Sequence, residues 1–510
     1  MKSSRSENVV KNATVTLLMQ VVKNILGFVS RTIFIKVLGA EYLGVNGLFT
    51  EILTVLSFAE LGVGNAMVFS LYKPLAENDT EKIKSLMRLY EKAYRVIGIV
   101  IAVLGIIITP FLPHIVGEVT YIKENLYVLY LLFLLNTVVS YFFVYKKSLI
   151  IADQKNYIVD IYQQIFYGIQ VVLQSAFLVL TKEIMSYLVI VVLCTIMNNF
   201  AMAKKADKMY PYLKDKKAEK LEKGEIKQIA TNVKALVVYK IGGIALESTD
   251  SIFISALVNV ATVGLYSNYK LIVNIFKTIG GQVMGSIIAS VGNLNAGNEQ
   301  KKKENVFREI FYLDAWFFGF TAVGLCVFLP ELINVWLGTE FVIGFDAVVA
   351  VCVYYYISNM HYPCFTYRTT AGLFVYGKYV PLAAAVINIA LDIVFGMKWG
   401  LTGILWASTI ARVLTYELVD PIMVYKHVFH KNFLPYFVMY GSYLAFLLAD
   451  GFLCYYLVSL IPVSGMFGLI VKAGALTIVF NLIFFLGTSW TREFRSLVGR
   501  GKNLLKKIRR

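Results

Sequence analysis

Apolar stretches of about twenty residues recur along almost the whole chain, separated by short polar connectors. A helix needs about 20 apolar residues to cross the hydrocarbon core of a bilayer. The pattern therefore predicts an all-α polytopic membrane protein with fourteen spans. These spans cover about residues 13–36, 44–72, 94–113, 125–146, 157–180, 184–203, 236–257, 263–290, 309–336, 346–367, 379–397, 401–425, 434–459 and 466–488.

Positive charges in the connectors predict the orientation of these spans. Because the number of spans is even, both termini are expected on one side of the membrane. If that side is the cytoplasm, the inner segments hold 38 of the 49 Lys and Arg residues, the outer segments hold 4, and 7 lie within spans. Cytoplasmic loops carry an excess of Lys and Arg. We therefore expect both termini in the cytoplasm.

The longest inner connector is rich in Lys and Glu and separates the first six spans from the next six. The predicted organisation has five parts: an N-terminal lobe at 1–203, a basic cytoplasmic linker at 204–235, a C-terminal lobe at 236–432, two further spans within 433–488 and a basic cytoplasmic tail at 489–510.

The two six-span halves resemble each other in sequence. The eight residues that begin at Arg31 (RTIFIKVL) are similar to those that begin at Asp250 (DSIFISAL), 219 positions later. Leu-Gly-Val around Gly44 corresponds to Val-Gly-Leu around Gly264, 220 positions later. Internal repeats of this kind are typical of transporters.

Composition agrees with a membrane protein and excludes other classes. Of the 510 residues, 58% are hydrophobic and 16% are charged. The net charge of +17 lies in connectors between spans, so it indicates topology and not a nucleic-acid partner. The five cysteines lie in apolar segments without a CxxC pair, and so predict neither a disulfide framework nor a metal site.

Two segments have the pattern of helices at the membrane surface. In residues 78–94 the apolar side chains share one face of a helix; they are Ile83, Leu86, Met87 and Tyr90. We interpret this segment as a surface helix in contact with solvent or lipid headgroups. The tail from Arg492 onward alternates basic and apolar residues. It is expected to lie on anionic lipids, which are thus a predicted partner.

Several motifs are weaker than they first look. The run from Gly372 to Tyr379 has the glycine spacing of a phosphate-binding loop, but Tyr379 stands where Ser or Thr must ligate magnesium. The pair His427 and His430 lacks acidic or cysteine partners, and His361 is interpreted as a lone structural histidine. No catalytic residue is predicted, and the chain is not expected to be an enzyme.

Charged residues inside the spans carry the functional information, because a charge in lipid is costly unless it faces a protein interior or a water-filled cavity. On a helix, positions seven apart nearly coincide. Five cations are predicted to line one cavity: Lys23, Arg31, Lys240, Lys270 and Lys277. A polar stripe is predicted on the second span: Asn46, Thr50, Ser57, Glu60 and Gly64. Interhelical ion pairs or positions near an interface are the interpretation for Lys36, Glu417, Asp420, Asp450 and Lys472.

The sign of the cavity predicts its ligand. Five cations face three carboxylates, those of Glu60, Glu247 and Asp250. The positive excess suits an anionic substrate, and a phosphate or pyrophosphate most of all. The carboxylates are candidates for coupling to Na⁺ or H⁺, because burial and neighbouring charges shift carboxyl pKa values. No other cofactor is expected.

Motifs in order along the chain resemble a known superfamily. They are Gly27-Phe-Val-Ser-Arg31, Leu38-Gly39, Tyr42-Leu-Gly44, Phe58 to Ala66, Val263-Gly-Leu-Tyr266, Asn388 to Asp392 and Trp399 to Ile404. With two six-span halves and two extra spans, the chain resembles the multidrug/oligosaccharidyl-lipid/polysaccharide (MOP) exporter superfamily. It is most similar there to the polysaccharide-transporter (Wzx-like) flippases.

This resemblance implies an alternating-access flippase in the bacterial cytoplasmic membrane. Its substrate would be a polyprenyl-pyrophosphate-linked oligosaccharide, whose pyrophosphate the five cations would bind. The resemblance also implies a monomer that works beside polysaccharide polymerase machinery. Three alternatives stay open: an ion-coupled multidrug or small-molecule exporter, a lipid II-type flippase, and a membrane enzyme of the same pathway.

Overall fold

The computed structural model describes residues 5–60, 63–117, 119–142, 144–215, 221–297, 299–373 and 377–508. Within these ranges the description leaves out some side chains, among them those of residues 5–14, 234–247 and 501–508. Every regular element in the described ranges is helical. The predicted all-α fold is therefore confirmed.

The helices follow one another with short connections. Helices α1 to α10 are Arg5–Leu38, Ala40–Leu56, Val63–Glu77, Thr80–Ile108, Leu112–Val116, Leu126–Tyr141, Val144–Ala152, Asn156–Thr181, Ile184–Met209 and Lys223–Leu257. Helices α11 to α19 are Val260–Ala296, Gln300–Leu337, Phe345–Met360, Tyr362–Thr370, Val380–Leu414, Tyr416–Val424, Leu434–Ser459, Gly465–Thr488 and Arg492–Ile508. Each predicted span falls on one of these helices or on two consecutive ones.

The chain is a multi-pass membrane protein. Among the described residues, 7 helices are long and apolar enough to cross a membrane, and an eighth span results if the bent pair α6 and α7 is one span. The other predicted spans lie on α1, on α2 with α3, on α10, on α11 and on α13 with α14. The helices α2, α3, α13 and α14 are each shorter than 18 residues, while α1, α10 and α11 carry the predicted cations inside their apolar stretches.

Helix α15 contains a hairpin between two predicted spans. Gly400 has φ 56° and ψ −133°, which interrupts the helix. The Asn388 amide donates to the Ser408 hydroxyl at 3.2 Å. In an unbroken helix these residues would be about 30 Å apart, since each residue rises 1.5 Å. The chain therefore turns back at Gly400, between predicted spans 379–397 and 401–425.

The chain divides into two compact units, Met1–Gly264 and Leu265–Arg510. In the first unit α1 packs on α8, α8 on α9, and α10 on α2. In the second unit α12 contacts α13, α17, α18 and α19, while α13 packs on α15. The predicted lobe and linker boundaries describe membrane topology and stay predictions.

The segment 78–94 is helical as predicted, and its position relative to the membrane stays a prediction. It forms the beginning of α4, and its four apolar residues are at most 3% exposed in the first unit: Ile83, Leu86, Met87 and Tyr90. Lys84 is also buried and pairs with Asp215 at 2.8 Å. An amphipathic pattern records an apolar face but does not say whether lipid or protein covers it.

Candidate functional site

The predicted cations of the first unit lie on α1. Lys23 is exposed, whereas Arg31 is half-buried. Arg31 lies within electrostatic range of Tyr187 on α9. Lys23 and Arg31 are eight positions apart, which corresponds to about 12 Å along the helix axis. Arg31 therefore contacts the interior of the first unit, and Lys23 does not.

The predicted carboxylates of the first unit lie on two elements. Glu60 ends a short 3₁₀ turn, Ser57–Glu60, and accepts a hydrogen bond from the Tyr94 hydroxyl at 3.3 Å. Asp250 lies on α10 and is 7% exposed. Three serines of the same helix are also buried: Ser248, Ser251 and Ser255. Lys240 and Glu247 lie on α10 as well, but their side chains are outside the described residues.

The predicted cations of the second unit lie on α11, which is continuous from Val260 to Ala296. Lys270 and Lys277 are half-buried and Asn274 is exposed. The Lys270 ammonium lies 5.7 Å from the centre of the Tyr266 ring. Because the helix is unbroken, the predicted common face of Lys270, Asn274 and Lys277 is confirmed. The cavity expected to unite these residues with α1 and α10 stays a prediction.

A buried ionic cluster in the second unit connects α14, α15 and α16. Arg368 donates to Asp420 at 2.7 Å, and Arg412 donates to Glu417 at 3.2 Å. His361 lies between the two carboxylates, with Nε2 3.0 Å from Asp420 and Nδ1 3.4 Å from Glu417. The interpretation of Glu417 and Asp420 as ion-paired residues is confirmed.

His361 is not a lone histidine, so that part of the sequence analysis was wrong. A neutral imidazole has one N–H, whereas both His361 ring nitrogens lie near carboxylate oxygens. His361 therefore belongs to the ionic cluster. The available signal was that His361 lies close to the end of predicted span 346–367, while Glu417 and Asp420 lie at a similar distance from the end of predicted span 401–425.

A second buried polar cluster lies across the α15 hairpin. The Asn388 amide donates to Asp392 at 3.0 Å and to Ser408 at 3.2 Å. Each of these three residues is at most 1% exposed. Asp314 on α12 is also fully buried, and neither of its carboxylate oxygens has a hydrogen-bond partner among the described residues. The sequence places Asp314 and Asp392 inside predicted spans but does not show their neighbours.

Among the described residues, no group of three His, Cys, Asp or Glu side chains could hold a metal ion. Lys472 pairs with Glu331 at 2.9 Å, which confirms its interpretation as an ion-paired residue. Lys36 is exposed. The half-buried cations Arg31, Lys270 and Lys277 therefore remain the strongest candidates for anion binding.

Comparison with known proteins gives similarity in structure but not in sequence. No family model matches the chain, and no curated protein sequence matches it. Three solved structures are similar over most of their length. The first is the lipid II flippase MurJ in an inward closed conformation, which is 15% identical with a TM-score of 0.64; the match covers 94% of this chain and 100% of that one. The second is an inward-facing MATE multidrug resistance transporter, which is 12% identical with a TM-score of 0.60; the match covers 77% of this chain and 93% of that one. The third is a MOP superfamily transporter from Pyrococcus furiosus, which is 10% identical with a TM-score of 0.56; the match covers 82% of this chain and 95% of that one.

These proteins are flippases and exporters of one superfamily, and they match the chain across both of its units. At 10–15% identity such a match shows the fold and not the substrate. The order of helices and the motifs along the sequence agree with it. The chain has the fold of the MOP superfamily.

Proposed function

We propose that the chain is a flippase that moves a polyprenyl-pyrophosphate-linked oligosaccharide across the bacterial cytoplasmic membrane by alternating access. The observation that carries this proposal is on α11. Lys270 and Lys277 lie on one face of that helix, while Ile272 and Phe276 line an apolar groove of about 370 Å³ that α11 shares with α12 and α18. One helix thus offers cations for a pyrophosphate and an apolar surface for a lipid chain.

A second apolar groove of about 400 Å³ lies between α12, α13 and α17. Together, the two grooves give α17 and α18 a role as supports for a long lipid tail. The fold is that of a lipid II flippase as well as of multidrug transporters, which supports transport without chemical change of the cargo. The capsule, O-antigen or exopolysaccharide repeat unit is the proposed cargo class.

The coupling ion is proposed to be Na⁺ or H⁺, with Glu60, Glu247 and Asp250 as candidate residues. Asp250 is supported by its burial beside three buried serines. The other proposed partners are anionic lipids and polysaccharide polymerase machinery, with the chain acting as a monomer. For lipids the support is α19, where Arg500 pairs with Glu309 at 2.8 Å and holds the basic tail against the start of α12.

The test is flipping of a fluorescent polyprenyl-pyrophosphoryl oligosaccharide in reconstituted vesicles. Lys270→Ala and Lys277→Ala each remove a charge worth about 1.5–3 kcal/mol as a hydrogen-bond donor, so flipping is expected to slow about tenfold or more. The exposed Lys36→Ala is the matched control and should flip at the wild-type rate. Undiminished flipping in both lysine variants removes them from the mechanism, and transport of ethidium in place of the lipid favours the multidrug alternative.

A further inference from the structure

The first unit encloses a pocket of about 270 Å³ between α2, α6 and α9. Six of the side chains that line it are aliphatic or aromatic: Leu53, Leu132, Phe133, Tyr187, Leu188 and Val191. The other six carry a hydroxyl or an amide: Asn46, Thr50, Thr54, Ser57, Asn136 and Thr137. No acidic or basic side chain among the described residues lines it. The pocket is thus uncharged, and half of its lining side chains are polar.

The hydroxyl groups of the pocket share one bonding pattern. Each donates its proton to the backbone carbonyl four residues earlier, at 2.7–3.0 Å, in the four residues Thr50, Thr54, Ser57 and Thr137. A hydroxyl has one donor and two acceptor lone pairs. With the donor used inside its own helix, each hydroxyl can only accept from a ligand. The pocket therefore selects a group that donates several hydrogen bonds.

The amides add capacity of both kinds. Asn46 and Asn136 lie on different helices of the pocket, α2 and α6, and an amide has two donor hydrogens and an acceptor oxygen. A ligand with several hydroxyl groups can donate to the threonine and serine oxygens and accept from the amide N–H groups.

Other ligand classes fit less well. A drug cation needs a carboxylate or an aromatic cage, and a phosphate needs cations or free N–H groups. A purely apolar ligand would displace water from the acceptor lone pairs of the four hydroxyls and from the two amides without replacing its hydrogen bonds, at a cost for each. The volume is just below the roughly 300–1,000 Å³ typical of sites for drug-sized ligands. One uncharged sugar ring fits both the chemistry and the size.

The position of the pocket relates it to the predicted anion site. Tyr187, which lines the pocket, lies within electrostatic range of Arg31. We propose that the pocket between α2, α6 and α9 binds an uncharged sugar ring next to the pyrophosphate of the cargo. The pyrophosphate would lie toward Arg31 and the sugar against Thr54, Asn136 and Thr137. This inference rests on the proposed function and assigns one of its subsites.

The test compares two soluble probes on the purified full chain, farnesyl pyrophosphate and its N-acetylglucosaminyl derivative. Thr54→Val and Thr137→Val remove one hydroxyl each without changing side-chain shape, and Asn136→Leu removes the amide. Each variant is expected to bind the sugar-bearing probe about 2- to 12-fold more weakly, as for the loss of one hydrogen bond, and to bind farnesyl pyrophosphate normally. Thr231→Val on α10 is the matched control, because Thr231 makes the same bond to the carbonyl four residues earlier but is exposed and does not line the pocket.

Each outcome decides the matter. In the wild type, the sugar-bearing probe should bind more tightly than farnesyl pyrophosphate. The proposal is supported if the pocket variants lose this difference in affinity and the control variant keeps it. Equal weakening of both probes, a gain that persists in the variants, or a wild type that binds both probes equally overturns it. Variants that lose binding of tetraphenylphosphonium show a cation site and overturn it too. If the wild type binds neither probe, the proposed function itself fails, which is a different result from failure of the pocket.

Discussion

Gly44 and Gly264, which occupy equivalent positions of the sequence repeat, lie directly against each other. A β-carbon on Gly264 would be 2.9 Å from the Gly44 backbone nitrogen and 2.3 Å from the Ala40 carbonyl oxygen. One on Gly44 would be 1.9 Å from the Val260 carbonyl oxygen. Since Ala40 and Val260 are also 220 positions apart, the contact is reciprocal, as at a two-fold axis.

The first prediction follows from this contact. Gly44→Ala places a methyl group against the backbone of α11, which cannot move as a side chain can, so the free energy of unfolding should fall by about 1–3 kcal/mol. The measurement is thermal unfolding of the protein in detergent. Gly47→Ala on the same helix is the control, because its β-carbon would meet only Val263 at 3.7 Å, an ordinary contact. Equal effects of the two variants would contradict the close approach.

The second prediction concerns the pair of Arg368 and Asp420. Asp420→Asn leaves the buried Arg368 without its anion, so the free energy of unfolding should fall by about 3–5 kcal/mol. Glu77→Gln is the control, since Glu77 pairs with Lys73 at 3.9 Å on the surface and such pairs contribute about 0–1 kcal/mol. The double variant Arg368→Met, Asp420→Leu should recover part of the loss, because it removes both buried charges. No recovery would mean that the cluster is stabilised mainly by its other members.

The third prediction concerns the hairpin in α15. The φ and ψ angles of Gly400 are strained for any other residue, so Gly400→Ala should cost about 1–3 kcal/mol. Gly474→Ala in α18 is the control, because its β-carbon meets nothing within 4 Å and alanine favours a helix by about 0.5–1 kcal/mol. Thermal unfolding of both variants checks this. A neutral Gly400→Ala would argue against a reversal of the chain at this residue.

The fourth prediction is a pH dependence of stability that arises from the pair of Lys82 and Glu225, which connects the start of α4 to the start of α10. The Lys82 ammonium donates to the Glu225 carboxylate and lowers the pKa of that carboxyl below its ordinary value of 4.5. The pair therefore stabilises the fold above pH 4.5, and this contribution is lost as the pH falls through the lowered pKa. Both side chains are about one-third exposed, so the gain is at most about 1 kcal/mol.

Unfolding temperatures of the wild type and of Glu225→Gln, measured from pH 7 down to pH 3, test this. The wild type should be slightly more stable at pH 7, and the two should converge at low pH. Added salt at pH 7 should narrow the difference, because it screens an exposed pair. A difference that stays constant with pH would exclude the ionised pair as its cause.

The sequence predicted the helices well because hydrophobic periodicity is a local property. The face formed by Lys270, Asn274 and Lys277 needs only an unbroken helix, and α11 supplies it. The repeat around Gly44 and Gly264 was also visible in the sequence. Its physical reason was not, because a glycine in a sequence does not show which backbone it approaches.

Other residues needed the tertiary structure. The apolar face of Ile83 and Tyr90 was visible in the sequence, but only the structure shows that the first unit covers it. His361 was taken as isolated, although Glu417 and Asp420 lie on both sides of it. In each case the residue pattern within one helix was correct, and the neighbouring helix was unknown.

The sequence by itself determined an all-α membrane protein, the positions of its apolar segments and which charged residues lie inside them. These follow from the hydrophobic thickness of a bilayer and the cost of charge within it. Only the tertiary structure decided which charges are neutralised by partners, such as Arg368 by Asp420, and which hydroxyls form a pocket. Pairing depends on the helices brought together by packing, and those contacts join residues far apart in the chain.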